Sequence, residues 1–265
     1  MISVTILTKN SARYLEEVLG ALSTFDEVLV YDNGSTDSTL EIASKFPNVT
    51  IKKGAFLGFG PTHNHASCLA RNDWILSIDS DEVVTPELSK EIALLQLDSG
   101  AVYSCPRHNY YNGKFIRWCG WYPDRQWRLY NRKTTCFTDA QVHEAVIIKN
   151  LRNINLQSPL IHYSYGSHSE FLSKMQSYSD LFAKQNVGKK KSSPCKAVLH
   201  GFFAFFKAYI LKGGWRGGYE GFVISVYNGN TAFYKYLKLY EANQKALGSN
   251  GRNPRRLHNW SDPVP

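Results

Sequence analysis

The sequence predicts an α/β fold, in which an open parallel sheet carries helices on both faces and is followed by a mainly helical C-terminal appendage. Through its first hundred residues the chain alternates short apolar runs with helical patterns, which is typical of strand–helix–strand units. With 265 residues, 43% of them hydrophobic, it has enough apolar side chains to bury a sizeable core. This composition excludes a disordered or fibrous protein.

The first strand–helix–strand unit lies at the N-terminus. The β-branched run Ile2–Leu7 predicts a strand, and Glu27–Tyr31 predicts a second one. Between them, apolar residues recur at helical spacing, namely Leu15, Val18, Leu19 and Leu22.

The alternation continues beyond the second strand. Polar caps, a proline stop and apolar runs mark the boundaries of each element. In chain order the predicted elements are a helix capped within Ser35–Asp37 and ended by Pro47, a weak strand at Val49–Lys52, a helix from near Thr62, a buried strand at Trp74–Ile78, and a helix beginning at Thr85 and Pro86.

These patterns divide the chain into three parts. The first domain spans residues 1–165, and its second half is rich in aromatic residues, with a strand-like run near Val142–Lys149. Residues 166–247 form a helical region that is basic and aromatic. Residues 248–265 are rich in Gly, Asn and Pro, so we expect a disordered tail.

Two features bear on the compartment of the protein. The start of the chain runs directly into the first strand without the pattern of a signal peptide, which predicts a cytoplasmic protein. The five cysteines are scattered and never spaced as CxxC, so we expect reduced cysteines and neither a zinc site nor a disulfide framework. They are Cys68, Cys105, Cys119, Cys136 and Cys195.

The net charge of +9 predicts an acidic partner, which can be a nucleic acid, a phosphorylated substrate or an anionic membrane surface. Basic residues concentrate in the C-terminal part, from Lys189–Lys191 onward. The chain carries no recognisable groove-reading or single-strand motif, so we do not expect nucleic-acid binding.

The sharpest chemical motif is the pair Asp79 and Asp81, which directly follows the predicted strand at Trp74–Ile78. In open α/β sheets, ligands bind outside the carboxyl ends of the strands. Two carboxylates one residue apart can hold a Mg²⁺ or Mn²⁺ that is also bound to a diphosphate. The alternative is that both aspartates only cap the following turn.

Two more polar turns are predicted at the same edge of the sheet. Thr8–Asn10 follows the first strand, and Tyr31–Asp37 follows the second. Asp32 can accept hydrogen bonds from a base or ribose, while Gly34 allows a tight turn. A plain strand–turn–helix connection explains each turn alone, but not the convergence of three polar turns on one edge.

Four segments in this order resemble the nucleotide-binding half of GT-A (Rossmann-like) inverting glycosyltransferases of family 2. Within that family, the chain resembles bacterial lipopolysaccharide and lipooligosaccharide inner-core glucosyltransferases, which transfer glucose from UDP-glucose to a heptose. The four segments are TILTKN, YDNGSTDST, GFGPTHNHA and NDWILSIDSDEVVTPEL. The likeness continues more thinly in YPDRQWRLYNRK, QVHEAV and GGWRGGYEGF.

The resemblance implies roles for individual residues. It assigns nucleotide-sugar binding to residues 1–100, and the acceptor side and catalytic base to residues 101–165. Asp79 would contact ribose and metal, and Asp81 the metal. The nucleotide sugar would also be contacted by Thr8, Lys9, Asn10, Asp32, His63 and Ser80. Relatives often carry an arginine at the position of His63, so the match is weaker there.

An inverting transfer needs a general base for the acceptor hydroxyl. The resemblance points to QVHEAV, where Glu144 would be the base and His143 an auxiliary residue. The alternative is that these two residues only alternate along a strand.

Arg125 and Arg128 lie among several aromatic residues. An arginine suits bidentate phosphate binding, so one of them can clamp the nucleotide diphosphate or a phosphorylated acceptor. Cation–π packing on a tryptophan is an equal alternative. Trp118, Trp121 and Trp127 can stack on sugar faces or form core.

The apolar and aromatic segment His200–Trp215 is interrupted by Lys207 and Lys212, and it is short for a membrane span. It can pack on the catalytic domain, form a dimer or lie in a membrane interface. The basic residues around it favour an anionic membrane surface.

The predicted function is therefore inverting transfer of a hexose, with glucose favoured, from a UDP-sugar to a lipid-linked acceptor such as inner-core heptose. This enzyme would work on the cytoplasmic face of the inner membrane. Polyprenyl-phosphate or capsule acceptors are an alternative, and so is a silent nucleotide-sugar-binding module. The sequence leaves open the donated sugar, the acceptor hydroxyl, the metal and the oligomeric state.

Overall fold

A computed structural model describes residues 1–140 and 144–249. The chain forms two compact units. Among the described residues, the first unit contains 1–115, 122–140 and 144–164, and the second contains Ile116–Trp121 and residues 165–249. A short segment of the N-terminal half of the sequence therefore folds with the C-terminal helices.

The first unit is built on one mixed sheet. Three parallel pairings, β3 with β2, β2 with β1 and β1 with β4, form the N-terminal part of the sheet, and antiparallel β8 then joins β4. The strand order along the sheet is β3-β2-β1-β4-β8-β6-β10-β5, and β7 and β9 pair with β6. The strands are β1 Ile2–Thr8, β2 Glu27–Asp32, β3 Val49–Lys53, β4 Trp74–Asp79, β5 Glu82–Val84, β6 Ala101–Tyr111, β7 Lys114–Phe115, β8 Arg125–Asn131, β9 Arg152–Asn155 and β10 Leu160–Tyr165.

Helices cover both faces of this sheet. Successive side chains of a strand point to opposite faces, so Val28 and Val30 of β2 join one core cluster, whereas Leu29 and Tyr31 join another. The first cluster includes apolar side chains of α1, α2 and α4, and the second includes side chains of α3. The helices are α1 Ala12–Gly20, α2 Thr39–Ser44, α3 Phe59–Leu69 and α4 Pro86–Ala93.

The predicted α/β class, with helices on both faces of the sheet, is confirmed. The strand expected near Val142–Lys149 is wrong for the described part of that run. Residues 144–149 form no strand, and Val146 makes one isolated antiparallel bridge with Phe137. Around this bridge the amide of Thr138 donates to Ala145 O and the amide of Ile147 donates to Cys136 O, so the pairing in the described part of this run covers a few residues and does not extend into a strand.

The second unit is helical. α7 packs against both α5 and α6, and between α6 and α7 the chain passes through a π-helical turn, Lys207–Leu211, and a 3-10 turn, Gly214–Gly217. Within residues 1–140 and 144–249, no helix combines the length and hydropathy that crossing a bilayer requires. The bounds are α5 His168–Asn186, α6 Pro194–Phe206 and α7 Gly218–Ser249. α7 therefore continues into the first two residues of the predicted tail, and residues 250–265 lie outside the described part.

Candidate active site

The site lies where the order of the sheet reverses. The chain runs from β1 to β2 and β3 on one side, then returns to β4 on the other side of β1. The carboxyl ends of β1 and β4 therefore border a crevice, which is where open α/β sheets bind ligands. The turns after these two strands touch, because the hydroxyl of Ser80 donates to that of Ser11 at 3.0 Å.

Asp32 organises the turn after β2. Its Oδ2 accepts hydrogen bonds from the amides of Gly34 and Ser35, both at 3.0 Å, and its Oδ1 accepts from Thr8 Oγ1 at 3.2 Å and from the Ser35 hydroxyl. Burial raises the pKa of Asp32, but these donors outweigh burial and lower the pKa below its usual value. The carboxylate is 1% exposed and charged, so it fixes the shape of the crevice wall.

Asn10 ties the turn after β1 to the turn after β2. Its backbone has a φ of 54°, a left-handed conformation that asparagine tolerates better than most residues. Its Oδ1 accepts from the amide of Thr36 at 2.8 Å, and its own amide donates to Ser35 Oγ at 2.9 Å. Both turns are therefore held as one polar rim.

A cleft of about 440 Å³ opens beside this rim, a size suited to a small ligand. Phe56 and Phe59 line one part of it, with their ring centroids 5.0 Å apart in an edge-on arrangement. Both rings are nearly half exposed, so a flat ligand can pack on them. The other lining residues are Leu7, Thr8, Lys9, Ser11, Asn33 and Ser80.

Asp79 is oriented by a buried arginine. Arg128 Nη2 lies 2.6 Å from Asp79 Oδ2 and 2.5 Å from Glu82 Oε1, while the other oxygen of Glu82 accepts from the amide of Asp79 at 3.1 Å. Burial raises the pKa of Asp79, but the positive charge of Arg128 holds it well below its usual range. Burial lowers the pKa of Arg128, but Asp79 and Glu82 raise it above its ordinary value, so the guanidinium keeps its positive charge beside Asp79.

A second set of side chains extends this cluster to Asp81. Arg107 pairs with Glu82 at 3.3 Å and with Asp124 at 2.8 Å. Asn109 Nδ2 donates to Asp124 at 3.0 Å, and Asn109 Oδ1 lies 2.6 Å from His162 Nδ1. The other ring nitrogen of His162 lies 3.6 Å from Asp81 Oδ2. Both aspartates of the motif are therefore backed by buried or half-buried polar groups.

The sequence did not predict this backing. Glu82 follows the aspartate motif directly, and its complete burial marks it as structural. Arg107, Asp124 and His162 come from distant strands and loops, and no local pattern marks them.

The donor set fits Mg²⁺ or Mn²⁺. The side chains of Asp79 and Asp81 are 38% and 34% exposed, so their carboxylates can reach an ion in the crevice. Mg²⁺ is commonly bound by one or two carboxylates together with waters and substrate phosphates. Among the described residues, no group of three or more His, Cys, Asp or Glu is arranged to hold a metal ion.

His63 lies behind the crevice wall. It is 2% exposed, its Nδ1 lies 3.1 Å from Ser77 Oγ, and its ring stacks on Phe137 at 4.5 Å. Burial lowers the pKa of His63 to about 4, so the ring is neutral at pH 7. The structure does not bring this side chain to the surface of the cleft, which does not favour the predicted contact with a ligand.

Arg125 is held by backbone carbonyl groups. Its guanidinium donates to the carbonyl oxygens of Ser104 and Leu156, at 3.2 and 2.5 Å, and so ties β8 to neighbouring chain. The two arginines predicted as alternatives for a phosphate clamp are thus both engaged by protein groups, Arg125 by carbonyls and Arg128 by carboxylates.

The three tryptophans are packed in the protein. Trp127 packs against the core cluster that contains Leu29 and Tyr31. In the second unit, Trp118 lies against Gly217, and Trp121 stacks with Tyr165 at a centroid distance of 5.7 Å. These contacts favour the core alternative over sugar stacking.

Glu144 is half-buried and follows a loop that is fastened to the start of α3. Asn64 of α3 exchanges two hydrogen bonds with the backbone of Phe137, and the amide of Gly60 donates to Ala140 O at 3.2 Å. Phe59, the first residue of α3, lines the cleft. The chain up to Ala140 is therefore anchored at the start of α3, next to a residue that lines the cleft, while His143 lies outside the described residues.

The chain is similar in sequence to known proteins. Residues 3–151 match the model of Glycosyl transferase family 2. An uncharacterized glycosyltransferase of Rickettsia bellii is 30% identical over 268 residues, covering 94% of this chain and 88% of that protein. The lipopolysaccharide core biosynthesis glycosyltransferase LpsC of Rhizobium meliloti is 25% identical over 254 residues, covering 91% of this chain and 92% of that protein.

Solved structures with similar architecture include Staphylococcus aureus TarS 1-349 in complex with UDP-GlcNAc. The match between the two chains has a TM-score of 0.48 at 16% identity, and it covers 99% of this chain and 98% of that chain. The mannosyltransferase PcManGT of Pyrobaculum calidifontis, in complex with GDP-Man and Mn²⁺, has a TM-score of 0.46 at 16% identity, covering 96% of this chain and 76% of that chain.

Proposed function

The chain belongs to glycosyl transferase family 2, and we propose that it is an inverting enzyme that moves a hexose, with glucose favoured, from a UDP-sugar to a hydroxyl of a lipid-linked saccharide. The observation that carries this proposal is the crevice at the ends of β1 and β4. There, an aromatic-lined cleft suited to a base lies beside two accessible carboxylates suited to a metal-bound diphosphate.

The acceptor is proposed to be a heptose of the lipopolysaccharide or lipooligosaccharide inner core, at the cytoplasmic face of the inner membrane. The full-length similarity to LpsC of Rhizobium meliloti supports this acceptor class. The basic C-terminal region supports a location at an anionic membrane surface.

In the proposed reaction, the cleft lined by Thr8, Lys9 and Asn33 holds the uridine, and Asp79 and Asp81 bind the divalent ion. Mg²⁺ or Mn²⁺, when bound, neutralises charge on the departing diphosphate. Glu144 takes the proton from the acceptor hydroxyl while the oxygen of that hydroxyl bonds to the anomeric carbon of the donor. The bond between that carbon and the diphosphate breaks as the new bond forms, which inverts the anomeric centre and releases UDP.

Arg128 has a positioning role in this scheme. Because it is held by two carboxylates and is 8% exposed, it orients Asp79 instead of clamping a phosphate itself.

The decisive experiment is calorimetric titration with UDP-glucose, UDP-galactose, GDP-mannose and UDP, each with Mn²⁺ and with a chelator. We expect uridine nucleotides to bind in a metal-dependent way, with UDP-glucose tightest among the sugars. Asp81→Asn should abolish the metal dependence while leaving the unfolding midpoint unchanged. Absence of binding by every nucleotide, or equal binding with the chelator, would refute the proposed site.

Glu144→Gln tests the proposed base. Turnover should fall on the order of 10²–10⁴-fold, because the transition state loses its proton acceptor, while UDP-glucose binding stays within about twofold. Asp139→Asn is the matched control, since Asp139 is an exposed acid on the same loop. Equal turnover in wild type and Glu144→Gln would remove this residue as base. Donor binding without turnover on any acceptor would favour a silent binding module.

A further inference from the structure

α6 exposes large apolar side chains and buries small ones. Its buried residues are Ala197 and Gly201, whereas Leu199, Phe202 and Phe203 are 63%, 68% and 58% exposed. A helix on the surface of a water-soluble protein has the opposite pattern, with large apolar residues facing the core. Small residues between helices and large ones facing outward are typical of helices that contact lipid.

Large apolar side chains are also exposed beyond α6. Leu211, Trp215 and Tyr219 are each more than half exposed. Ring contacts connect the two helices, since Phe205 of α6 lies 6.4 Å from Phe222 of α7 in an edge-on arrangement. We call this surface the aromatic face, defined by Leu199, Phe202, Phe203, Leu211, Trp215 and Tyr219.

An apolar groove of about 450 Å³ lies between α6 and α7, and Phe202 of the aromatic face lines it. Phe205, Val226 and Phe233 also line the groove. At its base the helices approach closely, because a side-chain atom at Gly201 would lie 2.9 Å from Phe233 Cβ. The groove therefore offers a hydrocarbon chain a contact surface within the same region.

The charges around the aromatic face are almost all positive. Lys196, Lys207, Lys212 and Arg216 are exposed between the apolar positions. Glu220 is the only acidic residue between positions 181 and 240, and it is 3% exposed. This surface therefore attracts an anionic partner without a compensating exposed carboxylate.

We propose that the aromatic face inserts into the headgroup region of an anionic bilayer. The surrounding basic side chains named above would lie against lipid phosphates, and the aromatic side chains of the face would lie at the acyl boundary. Amphipathic surfaces that combine Phe and Trp with Lys and Arg bind membranes in this way. This inference deepens the proposed function, since it names the surface that meets a lipid-linked acceptor, but vesicle binding is measured without nucleotide or turnover.

The test is flotation of the full chain with vesicles. We expect the protein to float with vesicles of equal parts phosphatidylcholine and phosphatidylglycerol, and to bind phosphatidylcholine alone at least about tenfold more weakly. Raising the salt concentration should weaken binding to the anionic vesicles, because it screens the exposed charges. Equal binding to both compositions, or binding to neither, would overturn the proposal.

Two variants locate the binding surface. The double change Phe202→Ser and Phe203→Ser should lower the partition coefficient for anionic vesicles by about tenfold or more, since two large apolar side chains no longer enter the bilayer. Leu94→Ser is the matched control, because Leu94 is 85% exposed in the first unit. The double variant must keep wild-type UDP-glucose binding and circular dichroism, and unchanged vesicle binding in it would refute the aromatic face.

A triple variant, Lys207→Gln, Lys212→Gln and Arg216→Gln, tests the contribution of the exposed positive charges. This variant should bind the anionic vesicles and the phosphatidylcholine vesicles with nearly equal strength. Its control is the triple change of exposed lysines in the first unit, Lys45→Gln, Lys90→Gln and Lys149→Gln. Equal losses in both triple variants would show a non-specific effect of net charge and would overturn the proposal.

A second copy of the chain is the competing occupant of this face. Sedimentation velocity without vesicles would then show a concentration-dependent dimer that the Phe202→Ser and Phe203→Ser variant loses. That result, together with no flotation of the wild type, would replace the bilayer by a protein partner.

Discussion

Two helices of this protein both carry regularly spaced apolar residues, but one buries its large apolar side chains and the other exposes them. α1 of the first unit buries Leu15, Val18 and Leu19 against the sheet. α6 of the second unit buries Ala197 and Gly201 and leaves its phenylalanines outside. Periodicity predicts that a helix has two different faces, but which face meets water is decided by what covers it. The difference therefore reports two environments, a protein core for α1 and an apolar partner for α6.

The same contrast applies to charges, and it gives the largest expected effect. Arg128 in the first unit is buried between Asp79 and Glu82, whereas Lys207 in the second unit is exposed. Arg128→Met should lower the free energy of unfolding by about 3–5 kcal/mol, because it removes the guanidinium paired with Asp79 and leaves the buried Glu82 with the longer 3.3 Å ion pair to Arg107. Lys207→Met should change it by less than about 0.5 kcal/mol.

Urea unfolding followed by tryptophan fluorescence and circular dichroism measures both variants. Arg128→Lys is the informative control, since it keeps the charge but loses the planar guanidinium, whose Nη2 contacts both carboxylates. If Arg128→Met were as stable as the wild type, the ion cluster would not be buried as described. The proposed role of Arg128 in positioning Asp79 would then be wrong as well.

Truncation of apolar side chains tests the contrast directly. Leu19→Ala in α1 should cost about 2–5 kcal/mol, because it opens a cavity in a core where Leu19 is 1% exposed. Phe203→Ala in α6 should cost less than about 0.5 kcal/mol without vesicles, since this ring is 58% exposed. Thermal unfolding of the two variants checks this difference. A large loss in Phe203→Ala would mean that another part of the protein covers α6.

Local patterns were sufficient to predict much of the first unit. β1, β2 and β4 follow from short apolar runs bounded by polar turns, and their shared direction brings Thr8, Asp32 and Asp79 to one edge of the sheet. The position of the crevice follows from those turns, whereas the family follows from the resemblance of the segments that contain them. This success reflects physics that is local, since each strand and its turn lie within a few residues of each other.

Contacts between distant parts of the chain could not be predicted in this way. Arg107 and His162 reach the site because β6 and β10 belong to the same sheet, and that pairing depends on long-range packing. For the same reason no local pattern indicates that Ile116–Trp121 joins the second unit, where Cys119 Sγ lies 3.4 Å from Gly221 O. The strand predicted near Val146 was wrong for the same reason, since strand formation depends on the chain that lies opposite.

The smallest effect concerns two glycines, one in each helix, and it sharpens the comparison most. A side-chain atom added at Gly20 of α1 meets nothing within 4 Å, whereas one added at Gly201 of α6 lies 2.9 Å from Phe233 Cβ and 3.2 Å from Gly229 O. Gly20→Ala should therefore stabilise the protein by about 0.5–1 kcal/mol, through the higher helix propensity of alanine.

In α6 the same gain is offset by overpacking, which costs about 1–3 kcal/mol, so Gly201→Ala should destabilise the protein by about 1 kcal/mol. Urea midpoints of the two variants, measured side by side, give the sign of each change. Opposite signs mean that the small residues of α6 are what its contact with α7 requires, and that the large ones are left for a partner outside the protein. If Gly201→Ala were stabilising too, the helices would be loosely packed, and the exposure of the phenylalanines would need no external partner.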